Sequence, residues 1–123
     1  MTLLAASAAA TFENDGFTFR SLAVPSRGTT ELAVWTLEVA PGAVSERHTV
    51  SREEVFLLHA GEIVAEIGGV EYRPGPGDAV ILPPDTPGRL ANHGGTTARL
   101  TVCTSRGIRG TIGETTIDPP WAR

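Results

Sequence analysis

The sequence contains no lysine and a single cysteine, and both shortages narrow the possible chemistry. Without lysine, the chain cannot form a Schiff base with a carbonyl substrate or hold pyridoxal phosphate through one. Cys103 cannot form an internal disulfide, so nothing indicates an oxidising compartment. No apolar run approaches the roughly 20 residues of a membrane helix, and the apolar residues 3–6 lack the basic flank of an export signal. We therefore expect a cytoplasmic protein with no membrane partner.

Positive charge is scarce as well. Ten basic residues, all of them arginine, stand against 14 acidic residues, which gives a net charge of −4. The arginines occur singly from Arg20 to Arg123, without a cluster. Because affinity for nucleic acid depends on clustered basic residues that neutralise phosphates, we expect no nucleic-acid partner.

Sustained helical periodicity is missing, whereas turn residues are abundant. The 14 glycines and nine prolines separate short apolar runs. Residues 31–40 alternate between apolar and polar, residues 54–59 and 62–67 suggest a hairpin around Ala60 and Gly61, and only residues 2–10 could form a helix. About eight to ten short strands with frequent turns predict an all-β sandwich or barrel.

The length of 123 residues suits one domain with one core. No linker or low-complexity tract divides the chain. We expect an N-terminal arm over residues 1–16, a barrel over residues 17–116 and a C-terminal tail over residues 117–123.

Two stretches, residues 42–61 and 77–92, resemble the paired motifs of the cupin superfamily. The residues that match the motifs by type and spacing are Gly42, His48, Glu54, Gly61, Gly77, Pro83 and Asn92. The resemblance implies a single antiparallel β-barrel of the jelly-roll type. It also implies a cavity for a small molecule inside that barrel.

The same comparison shows where the chain departs from the family pattern. Cupins commonly hold a metal with three histidines and a glutamate, but Val50 and Gly88 stand at two of the histidine positions. Asp85 replaces a glycine of the second motif, which is a milder change within a turn. The cavity should therefore be larger and more apolar than in a metal-binding cupin.

His48 and Glu54 alone provide too few ligands for a transition metal, because catalytic zinc and iron sites use three protein ligands. His59 follows Glu54 by five residues and should point to the opposite face of its strand. His93 falls in a predicted turn. We therefore expect no metal cofactor, although rescue by His59 or His93 stays open, and any metal would be held by His48 and Glu54.

Without a cation, Glu54 and His48 are the candidate catalytic residues. A buried carboxylate has a raised pKa unless a positive partner stabilises it, and His48 as imidazolium would be that partner. Such a pair can act as general acid and base. The alternative is that both residues are relics, kept as a satisfied buried pair or bonded to arginine.

Strand parity adds candidate substrate-binding residues on the inner face, and the resemblance adds Val50 and Gly88, which stand at the family's ligand positions. They are Trp35, Val50, Phe56, Leu58, Gly88, Leu90 and Asn92.

Three functions are compatible with these residues. The first is a metal-independent isomerase, cyclase, epimerase or decarboxylase acting on a small organic substrate. The second is a ligand-binding or sensor domain without catalysis, and the third is a cupin oxygenase with an unusual ligand set. We also expect a homodimer, in which the arm and the tail at Pro119, Pro120 and Trp121 pack across the interface.

Overall fold

A computed structural model describes all residues from 1 to 123, and it consists of twelve β-strands with three short 3-10 segments. The strands are β1 (Thr11–Asn14), β2 (Phe17–Ala23), β3 (Leu32–Val39), β4 (Thr49–Val50), β5 (Glu54–Ala60), β6 (Val64–Ile67), β7 (Val70–Tyr72), β8 (Ala79–Leu82), β9 (Gly88–Ala91), β10 (Ala98–Ser105), β11 (Gly110–Ile112) and β12 (Thr115–Ile117). The 3-10 segments are Ala6–Ala8, Pro25–Arg27 and Pro120–Ala122.

The largest sheet has six strands in the order β1-β2-β3-β10-β5-β8, and all of its neighbours are antiparallel. Burial alternates along β3, β5 and β10, as a two-residue period requires when one face meets a core. One inward row crosses the sheet from Trp35 through Val102 to Phe56. This alternation confirms the predicted pattern of residues 31–40.

Two three-stranded sheets complete the barrel, in the orders β12-β11-β4 and β7-β6-β9. Leu90 of β9 and Ala65 of β6 belong to the same apolar core as Trp35 and Leu100 of the large sheet. The sheets therefore pack face to face around one core. The predicted class, an all-β antiparallel barrel of jelly-roll type, is confirmed.

The predicted hairpin around Ala60 and Gly61 is wrong. Strand β5 pairs with β10 and β8, whereas β6 pairs with β7 and β9, so the chain crosses from one sheet to the other at Gly61. The true hairpin is the next one, where Gly68 and Gly69, both with positive φ, connect β6 to β7.

Both ends of the chain are tied to the barrel. Strand β1 pairs with β2, so part of the segment predicted as an arm extends the large sheet. The candidate helix over residues 2–10 contains only the 3-10 turn Ala6–Ala8. Strand β12 runs to Ile117, one residue past the predicted end of the barrel. The structure contains no helix with the length and apolar character needed to span a membrane.

The C-terminal segment folds back on its own barrel. The Trp121 ring stacks on Phe19, with centroids 3.8 Å apart and planes 13° from parallel. Ser21 Oγ donates a hydrogen bond to the Trp121 carbonyl oxygen at 2.7 Å, and the next residue, Ala122, is buried. The tail is thus packed against its own barrel in the single chain, and the expected homodimer stays a prediction.

Candidate functional site

A cavity of about 410 Å³ lies inside the barrel. Exposed side chains such as Val44, Glu46 and Ile112 belong to its lining, so it opens to the surface. Six of the residues predicted from the sequence line it together: Trp35, His48, Val50, Glu54, Phe56 and Leu90.

Glu54 is the buried acid of this cavity. Strand β5 begins at Glu54, whose inward position gives an exposed fraction of only 5%. No side chain forms a hydrogen bond or ion pair with its carboxylate, and burial raises the pKa of Glu54 from the ordinary 4.5 to about 7. A carboxyl group with this pKa exists in both protonation states near neutral pH, so it can donate or accept a proton.

His48 lines the same cavity but forms no ion pair with Glu54. Its backbone is held by two hydrogen bonds with Gly88, at 3.0 and 2.8 Å. The ring Nδ1 lies 3.1 Å from the carbonyl oxygen of Glu46. Because a carbonyl oxygen only accepts, Nδ1 carries the proton in this hydrogen bond, and the other ring nitrogen has no partner in the protein. The imidazolium–carboxylate contact expected from the sequence is therefore not formed.

The structure places three of the predicted lining residues elsewhere. Leu58 is almost fully buried in the core. The side-chain nitrogen of Asn92 donates to the carbonyl oxygens of Val39 and Thr96, and its Oδ1 accepts from the Gly94 amide, so Asn92 ties backbone segments together. Parity assigns a residue to a face, but it does not say whether that part of the face is packed or open.

Gly88 is the third of these residues. A side-chain carbon built at this position would lie 2.7 Å from Leu82 Cδ1, closer than any real contact. Leu82, which is opposite Glu54 in the β5–β8 pair, therefore fills the space beside Gly88. Gly88 instead borders a much smaller pocket with His48, Phe56 and Leu90, beside the main cavity.

The side chains of the site can be compared with the metal-binding set that cupins commonly have. No three His, Cys, Asp or Glu side chains come together as a possible metal-binding group. His59 is exposed and bonded to Thr101 Oγ1 at 2.7 Å, and His93 is exposed in its turn. With Val50 and a packed Gly88 at two ligand positions, the residues present do not fit the family's three-histidine, one-glutamate centre.

Sequence reasoning missed one whole wall of the cavity. It comes from both ends of the chain: residues 14–19 contribute Phe17 and Phe19, and residues 108–121 contribute side chains up to Trp121. The sequence carried one usable signal, the isoleucines Ile108, Ile112 and Ile117 among turn and polar residues. It could not show that this segment pairs with β4 and turns back over the barrel.

Comparison with known proteins agrees with this fold. The family model described as a cupin domain matches residues 35–104. The polyketide cyclase RemF from Streptomyces resistomycificus is 19% identical with a TM-score of 0.75, over 93% of this chain and 87% of that chain.

Two further solved structures are similar. A sugar phosphate isomerase of the cupin superfamily from Silicibacter pomeroyi is 18% identical with a TM-score of 0.76, over 96% of this chain and 88% of that chain. KdgF from Halomonas sp. is 18% identical with a TM-score of 0.73, over 86% of this chain and 94% of that chain. A search of curated proteins found no match. At these identities the likeness extends to the fold alone.

Proposed function

This chain belongs to the cupin domain family, and on that premise we propose that it is a small-molecule enzyme that moves protons without a tightly bound metal. The proposed reaction is an isomerisation, epimerisation, cyclisation or decarboxylation. The observation that supports it is Glu54, a carboxyl group in an apolar cavity whose pKa of about 7 suits proton exchange near neutral pH.

The proposed step uses Glu54 as a carrier of one proton. Its carboxylate takes a proton from a carbon next to a carbonyl group, so that the C–H bond breaks, an O–H bond forms on Glu54, and the electron pair enters the enolate. Glu54 then returns the proton to the same carbon or to another one. His48 lines the cavity without touching Glu54, so in this proposal the substrate lies between the two groups.

The test uses 2-tetralone, a bicyclic ketone with acidic C–H groups, in deuterated buffer. We expect the protein to speed deuterium incorporation, measured by nuclear magnetic resonance, and Glu54→Gln to slow it by roughly 10²-fold or more. Glu53→Gln is the matched control, because Glu53 precedes Glu54 in the chain but is exposed and outside the cavity lining. It should exchange like the natural protein.

Two outcomes would overturn this proposal. Equal rates in Glu54→Gln and the natural protein would remove Glu54 from the chemistry. Binding of the ketone without exchange would favour the alternative function, a ligand-binding or sensor domain. Elemental analysis measures the metal content of the purified protein. One Fe, Mn, Ni or Zn per chain that is lost in His48→Ala would favour the oxygenase instead.

The proposal also includes a cytoplasmic location and a homodimer. The first is supported by the sequence, with one cysteine and no pair for a disulfide. The second is supported by the open edges of the sheets, which need covering.

A further inference from the structure

The cavity holds acidic groups but no arginine. Asp15, Glu46 and Glu54 line it, and His48 is the only basic side chain among them. None of the ten arginines of the chain belongs to the lining. Proteins recognise phosphate and carboxylate groups mainly through arginine or lysine, and an anion moved into an apolar site without such a partner loses its hydration uncompensated.

The same lining is rich in aromatic rings. Five of the seven aromatic residues of the chain line the cavity: Phe17, Phe19, Trp35, Phe56 and Trp121. Two of them, Phe19 and Trp121, are already stacked nearly parallel. Aromatic side chains pack well against flat rings, face to face or edge to face.

One hydrogen-bond donor accompanies these rings. The protonated form of Glu54 carries an O–H group, and no hydrogen bond within the protein uses its carboxyl group. Trp35 Nε1 also lacks a partner, but this atom is fully buried and is therefore not open to the cavity. Glu54 lines the cavity, so a ligand oxygen that accepts a hydrogen bond is the complementary group.

We propose that the ligand of this cavity is an uncharged, flat, ring-bearing molecule with an acceptor oxygen, and not an anion such as a sugar phosphate. The inference rests on the proposed function, since it names the class of substrate for that site. It separates this chain from the structurally similar sugar phosphate isomerase, whose name implies an anionic substrate.

The test compares three probes of nearly equal shape at pH 6, where Glu54 is mostly protonated. They are 2-naphthylmethanol, which is neutral, 2-naphthoate, an anion, and 2-naphthylmethylammonium, a cation. Calorimetric titration gives the dissociation constants. The indole N–H signals of Trp35 and Trp121, the only two tryptophans, locate binding in the cavity.

We expect the neutral probe to bind at least about tenfold more tightly than either ion. At pH 6 the buried Glu54 is mostly uncharged and the other two acids, Asp15 and Glu46, are exposed, so an ion of either sign lacks a partner inside the cavity, and a buried unpaired charge costs more than that factor. Binding of either ion as tightly as the alcohol would overturn the proposal. Failure of all three probes to bind would overturn it as well.

A pair of variants tests whether the absence of arginine from the lining is what disfavours anions. Ile112 lines the cavity and is 46% exposed, so Ile112→Arg places a cation at the rim. Leu32→Arg is the matched control, because Leu32 is similarly exposed but lies outside the lining. We expect the affinity for 2-naphthoate to rise at least about fivefold in Ile112→Arg only. An equal gain in both variants, or none in Ile112→Arg, would overturn the stated reason.

These measurements need no turnover. If the alcohol binds selectively but Glu54→Gln leaves proton exchange unchanged, the ligand class stands and the proposed function fails. If exchange depends on Glu54 but an anion binds best, the proposed function stands and the ligand class is wrong.

Discussion

Among single residues, Glu54 shows most clearly what the sequence could and could not predict. Motif spacing and strand parity placed it on the inner face, and burial then accounts for its raised pKa. The same reasoning paired it with His48, but the structure forms no such contact. Parity gives the side of a strand, whereas the distance between His48 and Glu54 depends on how the loop before β4 is anchored, here by hydrogen bonds to Gly88.

Burial of Glu54 should make stability depend on pH. The folded chain keeps this proton up to a pH of about 7, whereas the unfolded chain releases it near 4.5. Between these values the folded state binds more protons, so the free energy of unfolding falls as pH rises. The contribution is fully present below pH 4.5 and is lost as pH passes through 7. The total loss amounts to about 3 kcal/mol.

Glu54→Gln should remove this dependence. Urea unfolding between pH 4 and 8 measures this. As pH rises, the free energy of unfolding of the variant should increase relative to that of the natural protein by about 3 kcal/mol, and the difference should then stay constant. Glu53→Gln, at an exposed neighbouring position, should follow the natural protein. Parallel curves for Glu54→Gln and the natural protein would mean that Glu54 is not desolvated.

At Asp85, the structure agrees with the expectation that replacing the motif glycine is a mild change within a turn. The cupin motif has glycine at this position, and the backbone of Asp85 adopts φ 58°, in the left-handed region that glycine prefers. Asp tolerates this region better than most residues because its short polar side chain can bond locally. The replacement therefore keeps the turn, whose Asp85 amide donates to the Val50 carbonyl oxygen at 2.9 Å.

At the level of elements, regular strands were predictable and connections were not. The alternation of β3 appears in the sequence because one of its faces meets the core along its whole length. The β5–β6 connection resembles a hairpin in sequence, since Ala60 and Gly61 separate two apolar runs. The chain instead crosses to the other sheet, and Gly61 lies close against the backbone at the start of β10, a contact distant in the chain.

This contact makes Gly61 more sensitive than other motif glycines. Gly61 and Gly42 both have positive φ, at 82° and 83°. A side-chain carbon at Gly61 would lie 2.7 Å from Ala98 Cα, whereas nothing lies within 4 Å at Gly42. We expect Gly42→Ala to cost about 1 kcal/mol from backbone strain alone, and Gly61→Ala to cost about 2 kcal/mol more.

Urea unfolding of the two variants measures this difference. The pair shares the same substitution and nearly the same backbone conformation, so the difference isolates the crowding against β10. Equal losses of stability in Gly61→Ala and Gly42→Ala would show that β10 yields without cost, and the structural reason given for this glycine would be wrong.

On the scale of the whole molecule, the chain ends determine both the cavity and the surface left for a partner. Trp121 packs on Phe19 and helps to line the cavity, so the tail is already used within one chain. We therefore propose that a homodimer uses another surface. Strands β8 and β7 are edges of their sheets, and they expose Ile81, Val70 and Tyr72. Unpaired strand edges with apolar side chains are the surfaces that association would cover.

We therefore predict a homodimer that does not depend on the tail. Light scattering at micromolar concentration should give the mass of two chains, both for the natural protein and for Trp121→Ala. Ile81→Arg, which places a charge on the β8 edge, should shift the mass toward one chain, because a buried charge without a partner opposes association.

Leu32→Arg is the control, since Leu32 has the same exposure on a strand inside the large sheet. A monomeric natural protein would contradict the dimer. A dimer that survives Ile81→Arg but is lost in Trp121→Ala would show instead that the tails exchange between chains, so that each cavity is closed by its partner.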